Sequence, residues 1–293
     1  MIAATGVIGV PLPMEKIRAA LPKLVKALSP QGGRSANESI LTTDTRTKEA
    51  AARVDVNGRS VTIGGMAKGV GMIEPHLATM LCFIATDAVV SREALNTVTR
   101  RAVDRSFNRA TVDGDQSTSD TVAVLANGLA ENTALTEAGR GLRQFARGLE
   151  AVMGRLARML VQDGEGATKL VTITVCGAAT RKDALGAARS IANSALVKTA
   201  INGQDPNWGR LMMALGKSSA RVDASRVSIS FEEERLVEGG VMRPGVRIER
   251  LREIMGRNEY TITVDLGLGR GEETVWTCDL SEEYVRINAK YTT

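Results

Sequence analysis

The stretch LVTITVCG at residues 170–177, followed by KDALGAARSIANSALV at 182–197, decides the fold class. The first half alternates apolar and polar residues with the period of a strand, and the second carries its Ala, Leu and Ile at helical spacing. A strand feeding a helix is an α/β unit. Downstream, DPNWGRLMMALGK (205–217) reads as a short helix entered from the Pro206 turn. RVSISF (226–231), YTITVDL (260–266), ETVWTCDL (273–280) and YVRINAKY (284–291) read as strands. Helices combined with a strand-rich C-terminal part predict an α/β (α+β) protein. The expected architecture is a layered mixed-sheet sandwich with helices outside, rather than a bundle or a barrel.

Upstream, VDVNGRSVTI (54–63) alternates around Asn57-Gly58, the dipeptide that supplies two positive φ angles to a hairpin. PLPMEKIRAALPKLVKAL (11–28) places Ile17, Leu21, Leu24, Val25 and Leu28 on one helical face, with Pro22 expected to kink or delay it. Ser91 is an N-cap for a helix through SREALNTVTRRAVDRSF. A long helix is expected from about Glu137 to Gln162. Leu142, Phe145, Leu149, Val152, Leu156, Met159 and Leu160 form its apolar stripe, and its arginines form a solvated face.

Of the 293 residues, 43% are apolar, enough for a core. The longest apolar runs fall short of the ~20 residues that span a bilayer, and the first residues lack the pattern of a secretory signal, so the expected address is the cytoplasm. Cys82, Cys176 and Cys278 have neither CxxC spacing nor neighbouring histidines, which argues against disulfides and structural zinc. A formal charge of +5 invites a nucleic-acid reading, but aromatics are only 3% and no recognition motif is present.

Three loops resemble ligand sites and read better otherwise. GLGRGEE (267–273) is followed by a strand rather than by the helix a phosphate loop needs, so a turn is expected. DGEGATK (163–169) fits a glycine turn ending the long helix. DGDQSTSDT (113–121) lacks the spacing of a calcium loop and fits side-chain-to-backbone turns. His76 is the sole histidine, so any histidine-based mechanism must use it, yet Pro75 places it in a turn. A hydroxyl can instead carry its own base when threonine is N-terminal, because the α-amine has a pKa of about 7.7 to 8. Thr79 is internal, so this chemistry requires a cut at Ala78-Thr79, and nothing in periodicity or composition shows one.

TTDT (42–45), GGMAKGVGMIEPHLATMLCFIATDA (64–88), DGDQSTSDT, DGEGATKL (163–170), NSALVKTAINGQDPNWGR (193–210) and CDLSEEYVRINAKYTT (278–293) together resemble the ornithine acetyltransferases, self-processing enzymes of arginine biosynthesis. The likeness runs in order from Ala4 to Thr293. It implies that Thr79 cleaves the chain after Ala78, giving an alpha fragment 1–78 and a beta fragment 79–293 that form one catalytic unit. Thr79 then moves acetyl from N-acetylornithine to glutamate through an acetyl-threonine, in ping-pong order. Thr5 and Gly6 match the oxyanion-stabilising pair. Thr42, Lys68, Thr79, Glu165, Asn288 and Thr293 match the substrate-binding positions. The resemblance further implies no cofactor, small-molecule substrates and a heterotetramer of the self-derived chains. Some family members also use acetyl-CoA, and no single feature here separates the two kinds.

Members of the family carry a further segment ahead of TGVIG, so the reading expects a truncated frame, a misassigned start or a separate upstream polypeptide. His76-Leu77 stands where Asn-Met or Asp-Met is usual, and Ala195 where a proline is usual. Two other readings stay open at this point. One is an N-terminal-nucleophile amidohydrolase or aminopeptidase, with water as acceptor; the other is a non-catalytic remnant.

Overall fold

Asn57 and Gly58 adopt φ of 53° and 84°, the two left-handed positions a tight hairpin requires. They join β1 (Lys48–Val56) to β2 (Arg59–Lys68) in unbroken antiparallel register from Lys48↔Ala67 to Val56↔Arg59. β2 pairs antiparallel with β3 (Leu81–Thr86), which pairs in parallel with β4 (Thr121–Ala126). These four strands form one mixed sheet in sequence order. The computed structural model describes residues 3–74, 80–136 and 138–290.

Four helices belong to this half: α1 (Met14–Lys26), α2 (Gly33–Ser39), α3 (Arg92–Asp104) and α4 (Arg140–Gln162). Pro22 lies inside α1 without ending it. Ser91 caps α3, its side chain accepting from the Ala94 N–H. α4 lies against β1 and β2 and buries Phe145, Leu149, Val152, Leu156 and Leu160. Gly148 permits the close approach, since a Cβ there would sit 2.6 Å from Val54 Cγ1. The arginine face of α4 is less uniformly solvated than expected, for Arg158 pairs with Glu259 and lies over the Trp276 ring at 5.9 Å.

The second half opens with β5 (Leu170–Ala178) and α5 (Arg181–Ala192), the expected α/β unit. One difference is that the helix stops at Asn193 and restarts as α6 (Ala195–Asn202), because Ser194 caps the new helix through the Val197 N–H. Then follow α7 (Trp208–Lys217), β6 (Ser228–Phe231), β7 (Glu234–Glu238), β8 (Val241–Met242), α8 (Ile248–Met255), β9 (Glu259–Asp265), β10 (Gly271–Cys278) and α9 (Glu282–Asn288). The second sheet runs β10-β5-β9-β6-β7-β8 and is also mixed. Residues 266–270 connect β9 to β10 over the end of β5, where Leu268 and Gly269 donate to the Gly177 carbonyl. A strand follows, as expected, but the strands it joins are not neighbours.

YVRINAKY requires a correction, because residues 282–288 are helical. Its alternation resembles a strand, but Glu282 and Glu283 in the first turn and Arg286 in the last complement the helix dipole, and Arg286 pairs with Glu283. Two apolar cores result, one between the four-stranded sheet, α3 and α4, the other between the six-stranded sheet and α5 to α8. The architecture is the expected layered α/β one, with two mixed sheets. Among the described residues no helix is long and apolar enough to cross a membrane.

Candidate active site

β2 ends on Lys68, and the chain then turns through Gly69 at φ 135° and Met72 at φ 50°. A methionine in the left-handed region is strained. Asp113 holds it there, accepting from the N–H groups of Met72 at 2.7 Å and Ile73 at 3.0 Å. The DGDQSTSDT loop thus makes side-chain-to-backbone bonds, as expected. Opposite, α4 ends at Gln162, and Asp163 and Glu165 follow in the glycine turn, with Gly166 at φ 69°. Ser281 closes this corner by donating to the Gly166 carbonyl at 2.6 Å, which sets α9 beside it.

These pieces enclose a cavity of about 340 Å³. Thr5, Gly6, Thr42, Lys68, Glu165 and Asn288, six of the positions singled out by resemblance, all line it. They come from the N-terminal segment, the segment between α2 and β1, the end of β2, the turn after α4, and α9. Ala78, Thr79 and Thr293, along with Pro75, His76 and Leu77, lie outside the described residues. The expected bend at Glu74-Pro75-His76 is therefore described only at Glu74, whose Oε1 accepts from Asn193 Nδ2 at 2.7 Å.

Glu165 is buried and held at both oxygens: Thr43 donates to Oε1 and Asn288 to Oε2, each at 2.8 Å. Gly71 faces it so closely that a Cβ would stand 2.7 Å from Oε2. Gly71→Ala should therefore displace the Glu165 carboxylate while leaving the fold intact. Given the substrate-binding role that the resemblance implies for Glu165, the expected result is a KM raised about tenfold with little change in kcat, a loss of ~1.4 kcal/mol of uniform binding. Steady-state kinetics beside a thermal melt would check it.

Lys68 is only 2% exposed and forms no ion pair among the described residues. Burial depresses its ammonium, with Lys48 adding repulsion and Asp44 and Asp120 working the other way. Lys48 is fully buried between Asp44 at 2.6 Å and Asp163 at 2.5 Å. Burial opposes the Asp44 charge, but the Gly69 N–H at 2.8 Å, Lys48 and the Thr42 N–H at 3.2 Å outweigh it and hold the carboxyl below its ordinary value. Asp163 also accepts from the backbone and hydroxyl of Thr45. This network fixes the segment carrying Thr42 and Thr43 against the end of β2.

Asp113, Asp115 and Tyr284 make the remaining wall. Burial raises the Asp113 carboxyl against three backbone N–H donors. Burial also raises the Tyr284 phenol, reinforced by Asp113, Asp115 and Glu165. Sequence reasoning did not assign these residues to the site, nor Lys48 and Asp163. The 113–121 loop was flagged for its carboxylates alone. Lys48 and Asp163 are 115 positions apart, and no local pattern joins them.

The ArgJ family model matches residues 1–293. The arginine biosynthesis bifunctional protein ArgJ of Geobacter sulfurreducens is 50% identical over 293 residues, covering all of this chain and 75% of that protein. The protein of the same name from Thermus thermophilus is also 50% identical over 293 residues, with 73% of its length covered. Among solved structures, the arginine biosynthesis bifunctional protein argJ of Bacillus halodurans matches with a TM-score of 0.69 and 38% identity, over 71% of this chain and 98% of that one. By sequence, along its whole length, and by fold, this chain belongs to the ArgJ family, the ornithine acetyltransferases.

Proposed function

We propose that this chain is an acetyltransferase of arginine biosynthesis that cuts itself between Ala78 and Thr79 and then uses Thr79 as an N-terminal nucleophile. The observation that carries the reading is the convergence of Thr5, Gly6, Thr42, Lys68, Glu165 and Asn288 on one cavity. In the cut, the Thr79 hydroxyl attacks the Ala78 carbonyl and the acyl group moves from nitrogen to oxygen. Water then hydrolyses the ester, leaving Ala78 with a carboxylate and Thr79 with a free amine and hydroxyl. The share of this chain matched by the Bacillus halodurans chain, 71%, is in keeping with such a product, since 79–293 would make nearly three quarters of this chain.

Transfer then follows from the site chemistry. The α-amine of Thr79 takes the proton of its own hydroxyl as the oxygen attacks the acetyl carbonyl of N-acetylornithine. The Thr5 hydroxyl and the Gly6 N–H receive the developing oxyanion, a contribution of about 3 to 4 kcal/mol for a well-placed donor. Collapse expels the ornithine amine, which leaves with the proton, and acetyl stays on Thr79 as an ester. The amine of glutamate next attacks that ester, regenerating the hydroxyl. Lys68, buried without a counterion among the described residues, suits the carboxylate common to both substrates. Glu165, with Asp113 and Asp115 on the same cavity, suits the ornithine ammonium. The two product chains stay together in a heterotetramer and work in the cytoplasm.

Incubating the purified protein with N-acetylornithine, with and without glutamate, tests the reaction class. The expected result is acetylglutamate and ornithine in equal amounts, with negligible turnover when glutamate is omitted. Rapid release of free acetate without glutamate would instead establish a hydrolase.

A further inference from the structure

A second cleft, of about 620 Å³, opens where the two halves of the protein meet, and it shares no lining residue with the cavity at Lys68. On one bank stand Arg101 of α3, then Arg105, then Arg109, which closes the 3₁₀ turn Phe107–Arg109. On the other stand Arg181, Lys182 and Arg189 of α5. The seam between the banks is pinned, because the Thr111 N–H donates to the Trp276 carbonyl at 2.9 Å and the Thr111 hydroxyl to Asn193 Oδ1 at 2.7 Å. Among the described residues, six cations therefore line one open cleft against two carboxylates, Asp104 and Glu273.

Those carboxylates, and Glu150 at the rim, are already engaged. Glu273 is buried and receives Arg109 at 3.2 Å on one oxygen and Arg181 on the other. Glu150 receives Arg101 and Arg105, each at 3.3 Å. Asp104 accepts from Asn108 Nδ2 at 2.8 Å. Lys182 and Arg189 form no ion pair among the described residues, and Glu74 and Glu273 act on Arg189 only from a distance. Arg189 gives one hydrogen bond to the Asn108 carbonyl at 3.3 Å, and its buried Nε has no partner among the described residues.

Helix chemistry accounts for part of this charge. Arg101 and Arg105 close α3, where cations complement the dipole. Arg181 and Lys182 instead open α5, where the same dipole favours anions, and Asp183 is the one acidic residue of that first turn. Burial depresses the guanidiniums of Arg109 and Arg189, and Arg189 and Arg181 add repulsion at Arg109. A cleft lined by one sign of charge concentrates oppositely charged ligands.

We propose that this cleft is a binding site for a small diphosphate-bearing anion, held by Arg181, Lys182 and Arg189 on one bank and by Arg105 and Arg109 on the other. Guanidinium forks give paired N–H donors to phosphate oxygens, Lys182 adds a point charge, and the N-terminus of α5 adds its dipole. Cations on two facing banks suit two anionic groups better than one, which favours a diphosphate over a single phosphate. Leu185 is the one apolar side chain among the described lining residues, and no aromatic ring is there for a base to stack on, so charge is what the cleft reads. The inference does not depend on Thr79.

Calorimetric titration of the whole protein with inorganic pyrophosphate, in buffer free of divalent cations, tests it. Saturable binding of one pyrophosphate per chain is expected, weakened about tenfold or more in Lys182→Glu and in Arg189→Gln, each of which loses a charge-assisted bond, and unchanged in Lys16→Glu on α1. Affinity should fall as salt rises, and inorganic phosphate should bind more weakly than pyrophosphate. ADP separates the two sources of the group: binding no tighter than that of pyrophosphate assigns a free diphosphate, and tighter binding assigns a nucleotide. Location can be read without variants, since saturating pyrophosphate should protect Arg105 and Arg181 of the wild type from phenylglyoxal while leaving the exposed Arg34 reactive. Absence of saturable binding, binding undiminished in both variants, phosphate binding as tightly as pyrophosphate, or no protection at Arg105 and Arg181 would overturn the proposal. The protection result decides even where the variants fail to fold.

Discussion

Thr79→Ala should remain a single chain of 31.2 kDa under conditions in which the wild type resolves into two fragments joining at Ala78/Thr79. The variant lacks the oxygen that attacks the Ala78 carbonyl, and with no cut there is no free amine to serve as base. Nucleophile and base are lost together, so acetyl transfer should fall by roughly 10⁴-fold or more. The fold should survive, because the substitution removes only one hydroxyl and one methyl group. Thr79→Ser retains a hydroxyl and should still cleave, more slowly. Intact-mass measurement on the three proteins reads all of this at once. Two fragments from Thr79→Ala would place the cut, and the nucleophile, elsewhere.

The second large effect is expected at Lys48, which touches no substrate. Its ammonium is fully buried between Asp44 and Asp163. Lys48→Met strands both carboxylates, and breaking a buried pair in this way costs about 3 to 5 kcal/mol. Arg46, half-exposed and 3.6 Å from Asp163, offsets part of the loss on that side. Asp44 keeps, among the described residues, the hydrogen bonds from the N–H groups of Gly69 and Thr42 and the more distant charge of Lys68. A fall in Tm on the order of 10 °C is expected, measured by calorimetry. Replacing all three charges, as Asp44→Asn, Lys48→Met and Asp163→Asn, should recover much of the lost stability, because uncompensated charge rather than a missing contact drives the loss. Equal instability in the triple variant would show that shape, not charge, is what the network supplies.

The features that were legible in the sequence are those written in short spans. Asn57-Gly58 names its hairpin because two adjacent left-handed residues are a local requirement. Ser91 names its cap, and the stripe of α4 names its buried face, since periodicity records which side meets a core. Locality also explains the error at 284–291, where alternation over a few residues fits two structures and the acidic first turn after Ser281 is the better witness.

The site was not legible in that way. Thr5, Lys68, Glu165 and Asn288 carry no periodic signature, and they were found by resemblance to whole motifs. What the fold adds is their placement on one cavity. The support beneath them, Lys48 against Asp163 and Asp113 against the strained Met72, joins residues tens to more than a hundred positions apart. A glycine-turn reading of DGEGATK is correct for the backbone and incomplete for Glu165, because the same turn that ends α4 also aims a carboxylate into the cavity.

The most direct test of the central claim is peptide mapping of the protein after brief exposure to N-acetylornithine without glutamate. The account predicts a peptide that begins at Thr79 and carries one acetyl group, labile to hydroxylamine as an ester is, and discharged when glutamate is added. An acetyl group on any other residue, or an uncut peptide running through Ala78-Thr79 in an active preparation, would contradict it.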